Sequence, residues 1–84
     1  MDRLKYEIVT LKNGEQYFVL EELFFEYEVY YLALNLNDEN DVKIFVQEVV
    51  NGKNALTKVE DERVLKSVSP LFEEKVRNKI MSLN

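Results

Sequence analysis

Two rhythms divide this chain. Up to about residue 59 apolar side chains recur at every second position, the period of a half-buried strand; beyond it they recur at every third or fourth, the period of a helix. Tyr6, Ile8 and Thr10 alternate with Lys5, Glu7 and Val9, and Phe18 and Leu20 alternate with Tyr17 and Val19. Asn13-Gly14 lies between them. Both turn residues tolerate the positive φ of a type I′ turn, so the pattern predicts a hairpin with arms Lys5–Lys12 and Glu15–Leu20.

Residues 23–36 carry two superimposed signals. Tyr17, Leu20, Phe24, Tyr27, Tyr31 and Leu34 are spaced as one face of a helix, whereas Tyr30, Leu32, Leu34 and Leu36 alternate as a strand. The density of aromatic and β-branched side chains favours a pleated surface, because such side chains lose χ1 freedom in a helix. The expectation is two strands joined near Glu26–Glu28, with one helix over 17–34 as the competing reading. Asn37–Asp41 reads as a polar loop, Val42–Val50 resumes alternation, Asn51-Gly52-Lys53-Asn54 repeats the turn chemistry, and Ala55–Val59 makes a short last strand.

From Glu60 onward Leu65, Val68, Phe72, Val76, Ile80 and Leu83 form a helical stripe. Asp61 is the expected N-cap, Glu62 suits the first turn, and Lys75, Arg77 and Lys79 suit the negative end of the helix dipole. Pro70 removes a backbone donor and crowds the preceding turn, so it kinks the helix or starts a second one capped by Ser69. The fold class expected is α+β. Residues 1–84 form a single domain, with an antiparallel meander of about five strands over 1–59 and a helical segment over 60–84, kinked or broken at Pro70.

Composition narrows the chemistry. The chain has no histidine and no cysteine among its 84 residues, which removes the usual proton shuttle, the thiol nucleophile, disulfides and zinc clips. Ser67, Ser69 and Ser82 have no imidazole to activate them. The expectation is therefore no enzyme, no cofactor and no metal. Residues 1–60 hold six Lys/Arg against twelve Asp/Glu, so the sheet portion is acidic and poorly suited to a phosphate backbone or an anionic lipid surface. No apolar run is long enough to cross a bilayer, and the charged start Met-Asp-Arg-Leu-Lys-Tyr-Glu has no export signal, which points to the cytoplasm.

Two acidic groupings invite functional readings. Asp38, Glu39 and Asp41 offer hard oxygen ligands but lack the glycine and closing glutamate of a calcium loop, so a solvated loop is the better account. Glu21, Glu22, Glu26 and Glu28 flank the aromatic run, where charges discourage strand-to-strand association. The alternative is an acidic inhibitor that mimics nucleic acid toward a basic protein.

The order of motifs is also informative. An Asn-Gly hairpin leads to Phe25-Glu26-Tyr27-Glu28 and Tyr31-Leu32-Ala33-Leu34; an acidic loop, Ile44-Phe45-Val46, a second Asn-Gly turn and Leu56 precede Val59-Glu60-Asp61-Glu62. Over roughly residues 6–72 this resembles the YrzB-like domain-of-unknown-function family of small acidic bacterial proteins. It departs from that pattern in a shorter acidic loop, in the Ser69-Pro70 break and in having Val29 rather than a glycine turn between Tyr27 and Tyr31. The resemblance implies no established activity and no catalytic residues.

A single helical layer covers one face of a five-stranded sheet. With Ile8, Phe18, Leu32, Leu34, Ile44 and Val46 under the helix, alternation leaves Val9, Leu11, Tyr17, Val19, Tyr31, Ala33, Phe45 and Val49 on the other. So apolar a face calls for a protein partner or a homodimer, unless the sheet curls and hides it. The residues expected to bind that partner are Tyr17, Val19, Tyr31 and Phe45.

Overall fold

The computed structural model describes residues 8–82, in which the alternating stretch is one antiparallel sheet and the remainder one helix. Strands β1 (Ile8–Thr10), β2 (Gln16–Phe25), β3 (Glu28–Asn35), β4 (Asp38–Val50) and β5 (Lys53–Lys58) pair in chain order, and α1 (Glu62–Met81) follows. The α+β meander expected from the two rhythms is the fold. Lys5, Tyr6 and Glu7 of the expected first arm, and Leu83 of the helical stripe, lie outside the described residues.

The turns follow from backbone chemistry, not always as expected. At Asn13-Gly14 only the glycine has positive φ, at 90°. The Asn13 side chain instead accepts a bond from the Glu15 N–H at 2.9 Å, a local Asx contact. The Gly14 N–H donates to the Leu11 carbonyl (2.9 Å) and the Leu11 N–H to the Glu15 carbonyl (2.8 Å), giving a longer turn closed by a left-handed glycine. The expected two-residue turn with both residues at positive φ occurs at Asn51-Gly52, with φ of 52° and 78°. The same geometry recurs between β2 and β3 at Glu26 (48°) and Tyr27 (70°), residues that carry no sequence signal for it. Residues 17–34 are thus strand, turn and strand, not helix.

Asn37–Asp41 is not the loop that its polarity suggests. The turn is confined to Leu36-Asn37, and β4 already begins at Asp38. Leu34 faces Val42 whereas Asn35 faces Asp38, so residues 39–41 are extra on the β4 side.

A second irregularity decides the faces. Val19 pairs with Ala33 but Glu21 with Leu32, leaving Leu20 as a bulge. A bulge reverses the alternation beyond it and bends the strand. Leu23 and Phe25 therefore lie on the helix side, with Tyr30, Leu32, Ile44 and Val46, and Val68 and Phe72 of α1 close this cluster. On the opposite side Val9, Tyr17, Val19, Tyr31, Ala33 and Phe45 form a second buried cluster, joined by Leu11, Val29 and Leu56. Among the described residues no helix covers that second cluster. The sheet curls around it, as bulged and twisted sheets do, until residues of both edge strands line one cleft.

The helix is a single element with Pro70 inside it, rather than two pieces. Asp61 is the N-cap, accepting from the Arg63 N–H at 2.9 Å. Its apolar stripe is buried at Val68 and Phe72 and emerges into solvent at Ile80 and Met81. At that end Lys79 bonds the carbonyl of the bulged Leu20 (3.4 Å) and the Glu21 carboxylate (3.2 Å), tying the helix to the bend of β2.

Candidate functional surfaces

The structure brings Tyr17, Val19, Tyr31 and Phe45 together on the face away from the helix, as alternation predicts. It does not leave them available to a partner. All four are at most 1% exposed. The expectation of a partner surface at these residues is corrected: the curl of the sheet encloses them, and they are core. Val49, placed with them by the same alternation, is outside that core and 72% exposed.

Inside the curl the aromatic rings carry polar ends that need partners. Tyr17 and Phe45 meet edge to face, ring centroids 5.6 Å apart. The Tyr17 hydroxyl donates to Asp41 Oδ2 at 2.6 Å, Asn35 Nδ2 donates to the same oxygen at 3.0 Å, and Lys43 Nζ donates to Asp41 Oδ1 at 2.7 Å. Alternation along β4 puts Asp41 and Lys43 on the same side as Phe45, and the Leu34–Val42 pair sets Asp41 next to Asn35, whose β2 partner is Tyr17. The Lys43 ammonium also lies 5.6 Å from the Tyr17 ring centroid. Tyr31 donates its hydroxyl to Gln47 Oε1 at 3.1 Å.

The electrostatics of this network follow from its bonds. The Lys43 ammonium, then the Tyr17 hydroxyl and the Asn35 amide, hold the Asp41 carboxyl well below the usual carboxylate range. The bond to Asp41 raises Lys43. Burial, and then the neighbouring Asp41 carboxylate, push the Tyr17 phenol up. Among the described residues no buried side-chain nitrogen or oxygen lacks a partner. The network is therefore satisfied within the fold, as a structural cluster is.

The carboxylates singled out in the sequence disperse. Asp38 accepts from the Asn40 N–H at 3.0 Å, Asp41 is committed to the network, and Glu39 is exposed. Among the described residues no three carboxylates gather as a metal would need. Glu21 pairs with Lys79, whereas Glu26 and Glu28 stand exposed at the β2–β3 turn beside Tyr27.

The apolar surface left in solvent lies on the helix side. Ile8 pairs with Phe18, Phe18 with Leu34, and Leu34 with Val42, so one row of apolar side chains crosses four strands. The helix was expected to cover Ile8, Phe18 and Leu34, but it packs on the other end of the sheet. Ile8, Phe18 and Val42 are exposed and Leu34 is half-buried. Beside the row a groove of about 530 Å³ runs under the emerging end of α1, lined by Leu32, Val42, Ile44, Val76, Ile80 and Met81 among others. The alternation names these residues but not their exposure, which depends on where the helix docks.

Among the described residues no helix is long and apolar enough to cross a membrane. No family model, no curated protein and no solved structure matches this chain, so its own residues carry the functional argument.

Proposed function

We propose that this protein is a small non-catalytic interaction module that binds a protein surface, including that of a second copy, through the uncovered end of its helix-side face. The observation that carries this reading is the row Ile8–Phe18–Leu34–Val42, continuous with the groove beneath Ile80 and Met81. An apolar strip of that extent gains by being removed from water. The absence of histidine and cysteine, and the commitment of Asp41 and Lys43 to the fold, are in keeping with binding rather than catalysis.

The test compares the natural chain with a Phe18→Glu, Val42→Glu variant, whose substitutions fall on exposed positions and should leave the circular dichroism unchanged. Sedimentation equilibrium should show concentration-dependent association of the natural chain, or affinity capture should recover a protein, and the variant should lose it. A chain that stays monomeric at high concentration and captures the same proteins as the variant overturns the reading.

A further inference from the structure

The cleft between the two edges of the sheet is a different surface, which meets the helix-side row only at Ile8. β1 and β5 end the strand order, so each has one backbone edge with no strand beside it among the described residues. The two edges share a cleft of about 540 Å³, lined from Ile8 to Lys12 on one side and from Asn54 to Lys58 on the other. Leu11 and Leu56 pack onto the buried Val9–Tyr17–Phe45 cluster and form its apolar floor. An edge strand presents a row of unpaired N–H and C=O groups. Here two such rows flank one trough.

Topology fixes the direction of anything that pairs with both. Four antiparallel pairings separate β1 from β5, so these strands run the same way. Lys12 and Lys58 therefore stand at the same end of the cleft, and among the described residues no carboxylate lines it. Lys58 is held only loosely, by an exposed pairing with Glu60 at 3.5 Å. We propose that this cleft is a strand-addition site that takes a single extended peptide segment of a partner protein, antiparallel to both β1 and β5, with acidic residues at the segment's N-terminal end.

Each part of that statement has a physical reason. The segment must be single, because a strand that bonds both edges must have both of its own edges free. An edge strand of a second folded copy has its own sheet behind it and cannot enter. Antiparallel pairing to both edges continues the pattern of the sheet and closes it with a sixth strand. Alternate side chains of the segment then point onto Leu11 and Leu56, which favours apolar residues at every second position. An antiparallel segment begins where β1 and β5 end, so its first residues meet Lys12 and Lys58. The same lysines discourage aggregation through these edges, and an acid-led segment removes that obstacle.

The probe is a synthetic peptide, blocked at both ends, that opens Asp-Glu and continues as alternating Val and Thr. Its comparison peptides carry the acidic pair at the other end, or a proline in the middle. In a nitrogen-15 NMR titration of the full chain, the acid-first peptide should shift amides along β1 and β5 together and slow their exchange with solvent. It should bind about tenfold more tightly than the reversed peptide, as two charge pairs allow, and the proline peptide should not bind. Lys12→Ala with Lys58→Ala should abolish the preference between the two orders while both still bind. The Phe18→Glu, Val42→Glu variant should bind the peptide unchanged. Shifts along one edge alone, shifts in the helix-side groove, loss of binding in that variant, or no binding at millimolar peptide would each overturn the proposal.

Discussion

At the scale of single residues, burial separates positions that look alike in the sequence. Phe45 and Val49 share the alternation of β4, yet Phe45 is fully buried against Tyr17 and Val49 is 72% exposed. Phe45→Glu should abolish cooperative unfolding, since an unpaired charge in a packed core costs about 3 kcal/mol or more. Val49→Glu should stay within about 0.5 kcal/mol, as exposed substitutions do. Urea titration of both variants checks the pair, and a folded Phe45→Glu would mean the curl is open. Asp41 sets an acid limit. Its carboxyl is held low in the fold by Lys43, Tyr17 and Asn35, so the unfolded chain takes up its proton more readily. The stability it contributes is complete above about pH 4, the ordinary carboxylate value, and is lost as pH falls below it. Asp41→Asn has no proton to gain, so its loss of stability between pH 7 and pH 3 should be smaller than that of the natural chain. Denaturant midpoints at both pH values measure it, and equal losses would remove Asp41 from the account.

At the scale of elements, turns and bulges set what alternation cannot. The β2–β3 turn forces Glu26 and Tyr27 into left-handed backbone, although neither is glycine or asparagine and Tyr27 is 95% exposed. Each such residue stores roughly 1–3 kcal/mol of strain. Glu26→Asn with Tyr27→Gly should relieve part of it and stabilise the protein by about 1 kcal/mol or more, seen as a melting temperature higher by several degrees. An unchanged or lower melting temperature would show that the tyrosine ring is held in a contact that offsets the strain. The bulge at Leu20 has the larger structural effect, since it moves Leu23 and Phe25 to the helix side and gives α1 its seat. Nothing in Val19-Leu20-Glu21 announces it. The expectation that Ile8 and Phe18 lie under the helix failed because α1 docks on the far side of that bend.

At the scale of the whole molecule, one sheet serves two cores. The helix seals one, and the sheet's own curvature seals the other, with β1 and β5 as the rims of the remaining cleft. The central strands β2, β3 and β4 are paired on both sides, whereas β1 offers three described residues paired on one side only. Amide hydrogen exchange should therefore be slowest in β3 and its partners and fastest in β1 and β5, because local opening is cheapest where fewest bonds break. Uniform protection across all five strands would mean that the edges are already covered.

The chain's own periodicity was enough for the element order, the five strands, the helix start at Asp61 and the grouping of Tyr17, Val19, Tyr31 and Phe45 on one face. These depend on neighbours in sequence, on a period of two or of three to four, and on turn residues whose backbone preference is local. Whether that face is surface or core was decided only in three dimensions. Side-chain alternation says which residues share a side but nothing about how far a sheet bends, and the bend arises at Leu20 and at residues 39–41, where pairing with β3 loses step. The site followed the same division. Its residues were legible one by one, but the row left uncovered by α1 and the cleft between β1 and β5 join positions up to fifty residues apart in the chain. Only tertiary packing brings such positions together, because the free energy that selects the curl comes from burying both faces at once.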